Sequence, residues 1–279
     1  MKLILCISSL LFATSYASYM GEPVNLARYG YLVKVLSREI GTENATTCTG
    51  TLVTPSTVLT SKKCFMDHKK SEYEAMAIIS MMGTKKTMKK AMLDIRVEGD
   101  VALMRIDTVK TQLCPKKPAP ARVSKLTFKP SLMQRGWNPV KATELLKVPC
   151  RLLSFKTSED AEDFPITSEA QIVEVMLEKM SDKYFVASVN ATAAGTACWD
   201  DIGAPLECSL NTENNWYQVG ILSSIYADSV DKDFELLTAT CDDITSMRFS
   251  VFTDDVVGNS LQAVDSVGLT AITQKCQFA

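Results

Sequence analysis

Short runs of β-branched and apolar residues, broken by turn residues, dominate the chain. Tyr31–Leu36, Cys48–Val53 and Val58–Thr60 are such runs, the last following Pro55. Glu169–Leu177 alternates as a strand, and Tyr184–Val189 is another. The methionine- and lysine-rich stretch from Glu72 to Lys90 reads as strands with loops. Many short strands at turn-delimited spacing predict an all-β barrel or sandwich.

The N-terminus carries a different pattern. Lys2 gives a positive start, Leu3–Ala13 an apolar core and Ser15-Tyr16-Ala17 a small-x-small cleavage site, so residues 1–17 read as a secretory signal and the mature chain as 18–279. A buried first strand is the bland alternative. The apolar run is too short to span a bilayer. Removal of the signal takes Cys6 with it and leaves eight of the nine cysteines, an even number that in an oxidising compartment implies disulfides. No C-x2-C pair occurs and His68 is the single histidine, so no metal site and no cofactor are expected. Asn44 and Asn190 each open a glycosylation sequon.

Net charge is near neutral, but residues 1–139 hold 21 Lys+Arg against 10 Asp+Glu, and the remainder 9 against 22. Lys85, Lys86, Lys89 and Lys90, with Lys62, Lys63, Lys69 and Lys70, could form a polyanion-facing patch or a merely solvated surface. No aromatic residue interleaves Lys85, Lys86, Lys89 and Lys90, which argues against nucleic acid as a partner.

Five segments, in order, resemble the trypsin-like, chymotrypsin-fold serine proteases of the peptidase S1 type. Cys48-Thr-Gly-Thr-Leu-Val53 followed by Val58-Leu-Thr-Ser-Lys-Lys-Cys64 is similar to Cys-Gly-Gly-Ser-Leu-Ile and Val-Leu-Thr-Ala-Ala-His-Cys. Asp100-Val-Ala-Leu-Met104 resembles Asp-Ile-Ala-Leu-Leu. Cys198-Trp-Asp-Asp-Ile-Gly-Ala-Pro-Leu206 resembles the loop containing Gly-Asp-Ser-Gly-Gly-Pro-Leu, Val219–Ile225 resembles Val-Gly-Ile-Val-Ser-Trp-Gly, and Phe249–Thr253 resembles Pro-Gly-Val-Tyr-Thr. The fold this implies is two antiparallel six-stranded β-barrels, about 18–120 and about 121–279. The pairings it implies are Cys48 with Cys64, Cys150 with Cys208 and Cys198 with Cys241; Cys114 and Cys276 are left to pair by elimination.

In that family a serine attacks, a histidine takes its proton, an aspartate orients the histidine and backbone N–H groups hold the oxyanion. The matching positions here are Ile202, Lys63 and Asp100, so of the triad only the carboxylate remains. Isoleucine has no nucleophilic atom. Asp200 stands where a glycine helps form the oxyanion hole and would repel developing negative charge. The former substrate pocket maps onto Thr196, Ser223, Ser224, Ile225 and Ser250, with Ile225 expected to obstruct its entrance. A Lys63–Asp100 ion pair is expected in the old cleft. Asp201 matches the aspartate that receives a new N-terminal ammonium in active relatives; Ser18 could supply one, and local backbone N–H groups are the alternative.

The resemblance therefore implies a secreted homologue without proteolytic activity, acting on extracellular proteins as cofactor, decoy or regulator of a proteolytic cascade, immune or reproductive. A hydrolase with an unconventional site is the competing reading, and a small-ligand carrier a third.

Overall fold

In β2 (Leu32–Glu39) Val33 and Val35 turn inward while Lys34 and Leu36 stay partly exposed, the period-two pattern of a strand with one wet face. The computed structural model describes residues 21–26, 29–41, 45–65, 73–80, 87–109, 146–155, 169–180, 184–188, 195–209, 216–227, 241, 244–251 and 260–266. The signal segment, Ser18, Asn44, His68, Lys69, Lys70, Lys85, Lys86, Cys114, Asn190 and Cys276 lie outside them.

After a short β1 (Glu22–Asn25), β2 is joined by β3 (Ala45–Thr54), β4 (Thr57–Ser61), β5 (Tyr73–Ser80), β6 (Thr87–Glu98) and β7 (Val101–Ile106). They close a barrel in the order β2-β3-β4-β7-β6-β5. Closure leaves none of these strands an open edge. β7 is buried on both faces except at Arg105, which explains its almost unbroken apolar sequence.

The second sheet contains β8 (Cys150–Phe155), β9 (Glu169–Val175), β10 (Lys179–Met180), β11 (Tyr184–Ser188), β12 (Pro205–Ser209), β13 (Trp216–Ala227) and β14 (Ile244–Val251). Its order is β1-β9-β8-β12-β13-β14-β11-β10, all antiparallel. The architecture is a chymotrypsin-like double barrel, with two departures from the expected six-plus-six. Among the described residues this sheet has eight strands and no closing ladder. β1 also pairs with β9, so residues 22–25 belong to the second sheet although they precede the whole first barrel. The reason is packing: Leu26, Tyr29, Tyr31 and Leu32 bury against Leu153, Phe155 and Ala170 of the second sheet.

One apolar cluster runs through both sheets, including Val33, Leu52 and Met104 from the barrel and Leu152, Leu206 and Phe249 from the second sheet. Three of the implied disulfides are present, Cys48–Cys64, Cys150–Cys208 and Cys198–Cys241, closing separations of 16, 58 and 43 residues. Each contributes about 3–4 kcal/mol by restricting the unfolded chain. Residues 260–266 form a helical segment whose Asp265 carboxylate accepts hydrogen bonds from Thr54, Ser56 and Thr57 at the β3–β4 turn.

Candidate functional site

Asp100 sits in a two-residue hairpin loop between β6 and β7. Gly99 before it takes φ +59°, the left-handed value that glycine favours at such a position. β4 ends at Ser61 and continues as a 3-10 turn, Lys62–Phe65, held at Cys64 by the disulfide to Cys48. The Lys62 backbone N–H donates to the Asp100 carbonyl at 2.9 Å, which places this turn against the hairpin.

The ion pair in the cleft is made by Lys62, correcting the expectation for Lys63. Lys62 Nζ lies 2.8 Å from Asp100 Oδ1. Ser250 Oγ donates to Oδ2 at 3.2 Å, and Arg248 Nη2 stands 3.7 Å from the same oxygen. The backbone decides between the two lysines: Lys62 is the residue hydrogen-bonded to Asp100, while Lys63 is one step further round the turn, its N–H directed to Ser61 Oγ at 3.2 Å. Arg248 and Ser250 are two apart on β14 and share a face. Burial by itself raises the Asp100 carboxyl, but the hydrogen bond and charge of Lys62, helped by Ser250 and Arg248, hold it below its ordinary range.

The loop from Cys198 to Gly203 is stapled to both sheets. Asp201, 1% exposed, accepts the Cys198 N–H at 2.6 Å across the 3-10 turn Trp199–Asp201, so a local backbone donor does serve this carboxylate. The Ile202 carbonyl accepts from Thr49 N–H at 2.9 Å, and the Asp200 carbonyl from Thr49 Oγ1 at 3.1 Å. Gly203 donates to the Leu222 carbonyl at 2.7 Å. At φ +88°, with a Cβ there falling 2.2 Å from both the Thr49 carbonyl and Thr60 Oγ1, that position admits only glycine.

Ile202 is 9% exposed and joins the apolar cluster together with Ile225. Thr196, Ser223, Ser224, Ile225 and Ser250 are all buried. Ser223 Oγ donates to the Arg248 carbonyl at 3.0 Å, Ser250 Oγ is engaged by Asp100, and Thr196 Oγ1 has no hydrogen-bond partner among the described residues. The arrangement offers no activated hydroxyl or thiol at position 202. Of the polyanion candidates within the described residues, Lys89 stands opposite Ile78 and Lys90 opposite Ala77, so they occupy opposite faces of β6.

A second cluster was missed by reading the sequence. Arg151 on β8 makes two hydrogen bonds to Glu207 Oε2 on β12, 3.0 Å from Nε and 2.8 Å from Nη2, while Tyr31 OH donates to Oε1. The guanidinium lies 4.1 Å from the Trp216 ring centroid and 5.6 Å from that of Tyr29. Burial, then the charge and hydrogen bond of Glu207, push the Tyr31 phenol well above its ordinary value against the opposing charge of Arg151. A signal for the pair was available. Bonded Cys150 and Cys208 face each other in an antiparallel ladder, so the next rung must oppose Arg151 and Glu207.

Comparison with known proteins agrees with this geometry. No curated protein matches the chain. A family model described as Trypsin matches residues 20–241, well over half its length. With the double-barrel topology and three bonded cysteine pairs in place, the chain belongs to the trypsin/chymotrypsin-like serine protease family.

Proposed function

We propose that this protein is a secreted, non-catalytic member of the family that acts by binding other extracellular proteins, as cofactor, decoy or regulator in an immune or reproductive proteolytic cascade. The observation that carries the reading is Ile202: at the position that the resemblance aligns with the nucleophile, an apolar side chain, 9% exposed, packs in the core. The residual carboxylate supports it. Asp100 is committed to Lys62, Arg248 and Ser250, and the described residues include no histidine for it to orient. Asp200 in the oxyanion position and the buried pocket lining point the same way. Three disulfides suit an oxidising compartment, and no helix among the described residues is long and apolar enough to cross a membrane.

The test is a fluorophosphonate probe together with a peptide-library cleavage assay on the purified secreted chain. Neither labelling nor turnover is expected. Stoichiometric labelling, or cleavage that copurifies with the protein, overturns the reading in favour of a hydrolase with an unconventional site.

A further inference from the structure

We propose that the outer face of the first barrel, across β2, β5 and β6, rests on an anionic lipid surface, with Lys34 and Lys89 meeting the headgroups and Leu36, Met76 and Leu93 the apolar layer beneath. The proposal goes beyond the protein-binding reading, since it concerns where the protein is held. Strand register builds the face. Lys34 stands opposite Ile78 and Ile78 opposite Lys89; the next row on the same side is Leu36, Met76 and Ala91, and the one after it begins with Arg38 and Glu74. The alternate residues Val33, Val35 and Ala77 belong to the core, so these rows look outward. On β3 the same rows continue into Thr49, Thr47 and Ala45, which carry no charge.

Charge and apolar surface are separated on this face. Leu36 and Met76 are half-buried, and Leu93, two residues beyond Ala91 on β6, is 55% exposed. Lys34 and Lys89 lie two strand spacings apart, about 10 Å, along one margin of the apolar stripe. Neither has an ion pair or hydrogen bond among the described residues. Glu74, the one carboxylate in these rows, is held by Arg38 on the neighbouring strand. Two uncompensated positive charges thus stand beside exposed apolar side chains, and their complement is negative and apolar at once. The half of the chain that carries the face is also the basic one, with 21 Lys+Arg against 10 Asp+Glu in residues 1–139. A lysine lays its stem along apolar surface and keeps its ammonium in water, the posture a headgroup layer requires. A sulfated polysaccharide supplies negative charge but nothing apolar for Leu93. The outer face of a closed barrel is convex, which meets a deformable lipid layer more readily than a partner's anchor side chain that needs a pocket.

The experiment sediments the full secreted chain with vesicles of phosphatidylcholine alone, or of phosphatidylcholine and phosphatidylserine in equal parts. Binding is expected to the mixed vesicles and not to phosphatidylcholine. Lys34→Gln and Lys89→Gln should each weaken it about fivefold, the share of one lysine at an anionic leaflet. Leu93→Ser, which leaves every charge in place, should weaken it by a similar factor through lost apolar burial. Lys147→Gln and Met176→Ser, exposed positions beside strands of the second sheet, should leave it unchanged. All of these changes fall on exposed or half-exposed side chains. No binding to the mixed vesicles, equal binding to both kinds, or unchanged binding in either lysine variant overturns the proposal. Unchanged binding in Leu93→Ser overturns it too, and retention on heparin that the lysine changes abolish then assigns the face to a polysaccharide. Fluorophosphonate labelling is read separately, so failure here and failure of the non-catalytic reading are distinguishable.

Discussion

Two of the carboxylate–cation clusters among the described residues are built on opposite terms. Glu207 and Arg151 are 3% and 9% exposed at the side chain, joined through two hydrogen bonds, sealed by Tyr31 and clad by Trp216 and Tyr29. Asp100 and Lys62 are 31% and 36% exposed, and the carboxylate is shared among donors from different elements. A sealed pair has no water to replace a lost partner, so its strength lies in completeness. An open cluster exchanges partners at little cost, which makes it a poor source of stability.

The contrast predicts a graded series of effects. Glu207→Ala leaves the Arg151 charge buried and unpaired and is expected to cost about 3–5 kcal/mol in urea denaturation. A loss below about 1 kcal/mol would show that the site is wet and the contrast false. Replacing both partners, Arg151→Met with Glu207→Leu, should recover most of that loss, because apolar residues of similar volume need no partner. Tyr31→Phe, which removes one donor from Glu207, should cost about 1–2 kcal/mol. Asp100→Asn should cost no more than about 1 kcal/mol, the usual range for exposed pairs, measured in the same assay.

The two clusters should also fail at opposite ends of the pH scale. Tyr31 has a raised folded value, so its contribution is complete below the unfolded tyrosine value, about 10, and is lost as pH rises beyond it. Asp100 has a lowered folded value, so its contribution is present above about 3.9 and is lost as pH falls through the folded value. Unfolding free energies across pH should lose part of their alkaline slope in Tyr31→Phe and a smaller part of their acid slope in Asp100→Asn. An alkaline slope unchanged in Tyr31→Phe would remove the phenol from the sealed cluster.

Much of this was legible along the chain. The turn-delimited apolar runs led to β2, β3, β4, β9 and β11, because that signal is local, while β13 and the three bonded cysteine pairs were implied by the resemblance to the trypsin-like family. β1 was not legible: Glu-Pro-Val-Asn has no alternation of its own and becomes a strand only by pairing with β9. The choice of Lys62 over Lys63 was equally hidden. Alignment by residue type places Lys63 at the position of a base, but a 3-10 turn rotates consecutive side chains by about 120°, and only one of them reaches Asp100.

What the sequence determined by itself was chemical identity at each position: no nucleophilic atom at 202, no histidine before Cys64, a carboxylate at 100 and at 201. Those facts need no coordinates, since a missing atom is missing in any conformation. Which charges meet was decided only in three dimensions. Lys62, Asp100, Arg248 and Ser250 come from positions up to 188 residues apart, and their meeting depends on the docking of a closed barrel against a second sheet. That docking is set by the burial of apolar faces summed over many strands, a quantity that no single stretch of chain contains.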